Sequence, residues 1–180
     1  MDELYELYQD IILDHNKNPR NCRKLAHPTH TADGHNPLCG DEVTVYLHIA
    51  NGRVIDVSFT GQGCAISKAS ASLMTTVVKG LTLKELSRQT ARVYELLTGE
   101  TDHDASLEKL GDLAALSGVR RFPARIKCAT LAWHALEAGL KTDPCSQDPG
   151  QRKKVTQRPQ VSTEIPKRKA PTIAKNLIKP

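Results

Sequence analysis

A chain of 180 residues, 39% hydrophobic and 25% charged, is long enough to bury one core of ordinary size. No apolar run approaches the ~20 residues that a membrane span needs, and five scattered cysteines, an odd number, do not make a disulfide framework. The net charge of +5 is unevenly placed: residues 1–141 hold 16 Lys/Arg against 17 Asp/Glu, while residues 142–180 hold 9 against 3.

The first predicted element is a helix over residues 3–15, where Leu4, Leu7, Tyr8, Ile11 and Ile12 share one stripe and acidic residues sit near the positive end of the dipole. Asn18-Pro19 ends it. The acidic opening Asp2, Glu3 and Glu6 is unlike the basic start of a signal peptide. Dispersed thiols suit a reducing compartment, so a cytoplasmic location is the expectation. Residues 20–38 read as loop, with a short strand around Thr29–Asp33. Val43, Val45, Leu47 and Ile49 then alternate with polar partners, and Ile55, Val57 and Phe59 do the same on the return. Asn51-Gly52 between them is a type I′ hairpin turn.

A helix is predicted over Ala65–Val78, starting at Cys64, and Thr82-Leu83-Lys84-Glu85 supplies a capping box for the next. Residues 99–118 read as a short helix, and the last helix runs from about Pro123 to Leu140. The class is α+β: a small antiparallel three-stranded sheet packed against about five helices.

Residues 142–180 hold 6 of the 10 prolines and no aromatic residue, and their charge is strongly one-sided. That composition buries too little apolar surface to offset chain entropy. The expectation is a folded domain over 1–141 followed by a basic, Pro-rich, disordered tail over 142–180. Without aromatics to stack on bases, the tail reads as a solvated appendage rather than a nucleic-acid arm.

Chemistry concentrates in four residues. Cys39 and Asp41 lie in Asn36-Pro37-Leu38-Cys39-Gly40-Asp41, Cys64 in Gly61-Gln62-Gly63-Cys64-Ala65, and Cys128 in Arg125-Ile126-Lys127-Cys128-Ala129. Three thiols and a carboxylate make a tetrahedral zinc set. The intervals of 25 and 64 residues contain no Cys-x-x-Cys pair, so spacing alone leaves open that these are simply buried small hydrophobes. The hairpin narrows the choice. Its first strand begins just after Cys39 and Asp41 and its second ends just before Cys64, so antiparallel pairing gathers all three. His27, His30 and His35 precede Cys39 as alternative ligands, although loop histidines are more often solvated. His134 lies six residues, roughly 600° of helix, beyond Cys128 and faces away from it.

The three segments, together with Phe122-Pro123-Ala124-Arg125-Ile126-Lys127-Cys128, resemble the IscU/SufU family of iron–sulfur cluster assembly proteins, which includes the N-terminal part of NifU-like proteins. The resemblance runs from about Tyr5 to Leu140. IscU-type scaffolds carry a histidine immediately before the last cysteine, where this chain has Lys127, and a Leu-Pro-Pro-Val-Lys chaperone segment, where it has Arg121-Phe122-Pro123-Ala124-Arg125. The interval from Cys64 to Cys128 is also longer than in the IscU type. All three departures resemble the SufU branch.

That resemblance implies the SufE/IscU-like fold and a zinc ion at Cys39, Asp41, Cys64 and Cys128, with iron or an Fe–S cluster as the alternative at the same residues. It implies a sulfurtransferase partner of a SufS-type cysteine desulfurase. A histidine of that enzyme would displace Cys39 from zinc, and Cys39 would accept persulfide sulfur for downstream Fe–S scaffold proteins. Arg125 and Lys127 would offset the negative charge of the ligand set. The alternatives are an IscU-type cluster scaffold and a non-catalytic, zinc-stabilised binding module.

Overall fold

The computed structural model describes residues 2–99, 108–141 and 153–156. In chain order these form α1 (Asp2–Lys17), β1 (His30–Asn36), β2 (Asp41–Ala50), β3 (Arg53–Gln62), α2 (Ala65–Val78) and α3 (Leu83–Thr98). A 3-10 segment, η1 (Glu108–Arg121), follows, then α4 (Pro123–Leu140) and β4 (Lys153–Thr156). Among the described residues no helix is long and apolar enough to cross a membrane.

The β2–β3 hairpin forms as its alternation predicts. Asn51 (φ 51°) and Gly52 (φ 69°) both occupy the left-handed region that a type I′ turn requires. Val45 pairs with Phe59 and Leu47 with Val57, and these four side chains are buried on the helical side of the sheet. β1 adds antiparallel to β2, closing on the pair Asn36 and Asp41.

The sheet departs from expectation in one strand. It has four strands in the order β3-β2-β1-β4, and β4 is parallel to β1, so the sheet is mixed rather than a three-stranded antiparallel one. β4 comes from the segment read as tail. Strand pairing uses backbone groups and so needs no long apolar pattern; β-branched Val155 and Thr156 suffice to face Gly34 and His35 across the ladder. The other positions of the expected disordered tail lie outside the described residues. The helical part keeps its five segments. The one expected over 99–118 is η1, broken at Gly111, whose backbone (φ 53°, ψ −136°) leaves the helical path.

Helices α2 and α4 pack together, and α4 lies on β1 and β2. The contact is tight because α2 is rich in Ala and Ser, so its backbone can approach its neighbours closely. Buried Ser70 Oγ donates to the Ala129 carbonyl at 2.6 Å and accepts from Trp133 Nε1 at 3.2 Å. On the other side of α2, Ser72 Oγ bonds His15 Nδ1 and accepts the Arg20 N–H, both at 2.7 Å, which ties α1 down. Apolar side chains from all the main elements, Trp133, Phe59, Leu73 and Leu131 among them, complete a single core.

β4 gives this fold a testable edge. Removing residues 142–180 uncovers β1, and cross-strand contacts of this kind contribute roughly 0.2–1 kcal/mol per pair. Amide exchange over residues 32–35 is expected to accelerate at least tenfold, with a stability loss of about 1 kcal/mol by urea denaturation. Unchanged exchange in that stretch would show that β4 does not hold the edge.

Candidate metal centre

Four chain segments end at one corner of the sheet. The β1–β2 loop carries Cys39, the first residue of β2 is Asp41, Cys64 caps α2, and Cys128 lies in the second turn of α4. Cys39, Asp41 and Cys128 offer donor atoms that all lie within 4.8 Å of one another. Cys128 Sγ lies 3.1 Å from Cys39 Sγ. No histidine belongs to this group among the described residues.

Cys64 stands beside the three rather than among them. Its backbone N–H donates to Asp41 Oδ1 at 2.8 Å, and its Sγ lies 3.7 Å from Asp41 Oδ2. As the N-cap of α2 it also accepts the Ser67 N–H at 3.5 Å, which turns the sulfur toward the helix terminus. A sulfur there faces the positive end of the helix dipole. Gly63 is what lets Asp41 and Cys64 meet: a Cβ at that position would sit 2.6 Å from Asp41 Oδ1.

Accessibility divides the sulfurs. Cys128 and Asp41 are 0% exposed, whereas Cys39 and Cys64 are partly open. Burial pushes the Cys128 thiol far above its ordinary pKa, and the Cys39 and Asp41 neighbours push it the same way. Arg125 approaches from outside, with Nη1 3.9 Å from Cys39 Sγ. Lys127 sits half-buried on α4. A dry corner that crowds a carboxylate against thiols fits a divalent cation, because the cation removes the cost of ionising them. Zinc at ~2.3 Å from each sulfur would space them ~3.8 Å apart. The two sulfurs stand 3.1 Å apart in a group whose donors all lie within 4.8 Å of one another, so a small outward shift would reach that figure.

The expected histidine alternatives are accounted for elsewhere. His30 Nδ1 bonds Thr29 Oγ1 at 2.8 Å, and half-buried His35 lies 3.8 Å from Glu42 Oε1. The His27 carbonyl accepts from His48 Nδ1 at 3.1 Å. His134 stacks on Tyr94 and shares its hydroxyl with Glu137, on a different face from Cys128. One residue received no role from the sequence. Asn36 is 0% exposed and bonds both the Cys39 loop and Cys128; the available signal was an amide directly before Pro37 and three residues from a candidate ligand.

Residues 7–129 match the NifU-like N terminal domain. The chain is 42% identical over 134 residues to the zinc-dependent sulfurtransferase SufU of Bacillus subtilis, covering 74% of this chain and 89% of that protein. It is 36% identical over 135 residues to the iron–sulfur cluster assembly scaffold protein IscU of Thermotoga maritima, covering 75% and 93%. A crystal structure from Fervidobacterium islandicum, assigned as a scaffold for iron–sulfur cluster assembly in the SUF system, superposes with a TM-score of 0.68 at 31% identity, over 76% of this chain and 98% of that one.

The ligand set has a direct test in metal retention. Replacing Cys64 or Cys128 by Ser is expected to strip zinc from the purified protein, and Cys39→Ser to weaken its retention, as read by elemental analysis against protein concentration. Asp41→Ala and Gly63→Ala are expected to weaken retention against a chelator about tenfold or more without abolishing it, the second by pushing Asp41 off the Cys64 amide. Wild-type retention in all five variants would place the metal elsewhere.

Proposed function

The chain belongs to the NifU-like N-terminal domain family of iron–sulfur cluster assembly proteins, and on that premise we propose that it is a zinc-dependent sulfur acceptor serving a SufS-type cysteine desulfurase. The observation that carries this reading is one accessible thiol joined to a buried cluster of thiol and carboxylate donors. Cys39 Sγ is partly open on the β1–β2 loop, yet 3.1 Å from fully buried Cys128.

In this reading Cys39, Asp41, Cys64 and Cys128 hold the ion. Bound there, zinc would keep the coordinated thiols ionised at neutral pH. Asp41 is the hardest donor of the set, so the centre is more labile than four thiolates would make it. Cys39 is the reactive member because it rides on a loop, whereas Cys64 and Cys128 are fixed in helices.

The transfer itself is thiol–persulfide exchange. Cys39 thiolate attacks the outer sulfur of a persulfide on the desulfurase, forming a bond from Cys39 Sγ to that sulfur. The donor's own S–S bond breaks, its cysteine leaves as thiolate, and no net oxidation occurs. Arg125, beside Cys39, supplies positive charge for the incoming persulfide anion. Leu38 (57% exposed), directly before Cys39, puts an exposed apolar side chain beside the acceptor, which suits a protein donor rather than a small diffusible one. Downstream Fe–S scaffold proteins would take the sulfur onward, and a cytoplasmic site of work suits this chemistry. Cluster building on the same thiols, as in IscU-type scaffolds, is the second reading. Lys127 weighs against it because a lysine stands where such scaffolds place a ligand histidine.

Cys39→Ser separates the acceptor role from the fold. Incubated with desulfurase and cysteine, the wild type should gain one sulfur, about 32 Da, on the Cys39 peptide. The serine variant should gain none there and lose at least 100-fold in desulfurase stimulation, with its far-UV spectrum retained. Sulfur on Cys128 with Cys39 unmodified would overturn the assignment.

A further inference from the structure

Two sulfurs 3.1 Å apart raise a question of selectivity that burial alone does not answer. Burial keeps an outside reagent from Cys128. It does not stop sulfur already on Cys39 from moving on: Cys128 could attack the outer sulfur, forming its own S–S bond while Cys39 leaves as thiolate. Something inside the corner has to make Cys128 the poorer nucleophile.

Asn36 is placed to do so. It is 0% exposed and closes the β1–β2 loop opposite Asp41. Its Oδ1 accepts the Leu38 N–H at 3.2 Å, and its carbonyl accepts the Cys39 N–H at 3.3 Å. Because Oδ1 faces an N–H, the amide orientation is fixed and Nδ2 must face the other way. There it donates to Cys128 Sγ at 3.6 Å. Such a bond engages the sulfur lone pair that would otherwise attack, and it steadies the sulfur as a ligand. Arg125 lies 3.9 Å from Cys39 Sγ and also bonds Cys128, but its side chain is exposed and can swing away when a partner docks, whereas buried Asn36 cannot.

We propose that Asn36 is the positioning residue that selects between the two thiols: its amide holds Cys128 as a metal ligand and leaves Cys39 as the sulfur acceptor. This rests on the persulfide-accepting role proposed above. Asn36 touches no substrate and acts through Cys128 and the loop. Pro37 contributes by fixing the backbone directly after it, so the loop turns on the Asn36 carbonyl and side chain together.

The test compares the zinc-loaded full chain with Asn36→Ala and Asn36→Ser. Serine keeps a side-chain oxygen for the Leu38 N–H but is too short to reach Cys128, so it removes the N–H···S bond while sparing the turn. After incubation with desulfurase and cysteine, sulfur is mapped by peptide mass spectrometry over time, and zinc loss to 4-(2-pyridylazo)resorcinol is followed separately. In both variants the fraction of sulfur on Cys128 should rise at least tenfold, and zinc should leave about 10–100-fold faster. If Asn36→Ala fails to fold, the serine variant decides alone. Sulfur that stays on Cys39 in a folded variant, with zinc loss within twofold of wild type, overturns the proposal. If the wild type takes up no sulfur on any thiol, the function proposed above fails. The role of Asn36 then stands or falls on the zinc rate, since slower or unchanged release would refute it independently.

Discussion

The hydrogen bond from Ser70 Oγ to the Ala129 carbonyl, with Trp133 Nε1 closing on the same hydroxyl, sets the distance between α2 and α4. Everything at the metal corner inherits that distance. Cys64 begins α2 and Cys128 lies in α4 directly before Ala129, so a shift of one helix against the other would part the two sulfurs. The hydroxyl is buried and fully engaged, which makes its geometry costly to change. The sheet supplies the second constraint: antiparallel pairing of β1 with β2 and β2 with β3 delivers the Cys39 loop, Asp41 and the approach to Cys64 at one end.

Those constraints leave the corner with an asymmetry that suits exchange chemistry. Cys128 and Asp41 are locked in dry surroundings, and Cys64 is tied to a helix N-terminus. Cys39 alone is both loop-borne and next to a cation that reaches outward. On the proposed reading, a centre built this way would release one sulfur to a partner while three other donors kept their places. A fully closed structural zinc site would gain nothing from the difference.

Much of this was legible in residue order, because local signals and tertiary outcome agree. The alternation from Val43 to Ile49, the Asn51-Gly52 turn and the return to Phe59 specify a hairpin on their own, and a hairpin gathers its flanks. The capping box at Thr82 and Glu85 formed as its residues dictate. Other features were not legible. β4 depends on backbone groups of β1 that present no side-chain pattern, and its four residues sit in a proline-rich, basic stretch. The break in η1 follows from the backbone of Gly111, which composition does not foretell. The partition of Cys64 from the other three donors is a side-chain matter, set by its bond to the Ser67 amide. The roles of Asn36 and Ser70 likewise needed three-dimensional neighbours, since each acts across more than fifty residues of sequence.

The proposed ion at this corner is defined by the donors around it. X-ray absorption at the zinc edge, on protein purified without oxygen, reads the donors themselves. Three sulfurs at about 2.3 Å and one oxygen at about 2.0–2.2 Å are the result predicted for Cys39, Cys64, Cys128 and Asp41. A sphere with fewer than three sulfurs, or one dominated by nitrogen, would contradict it.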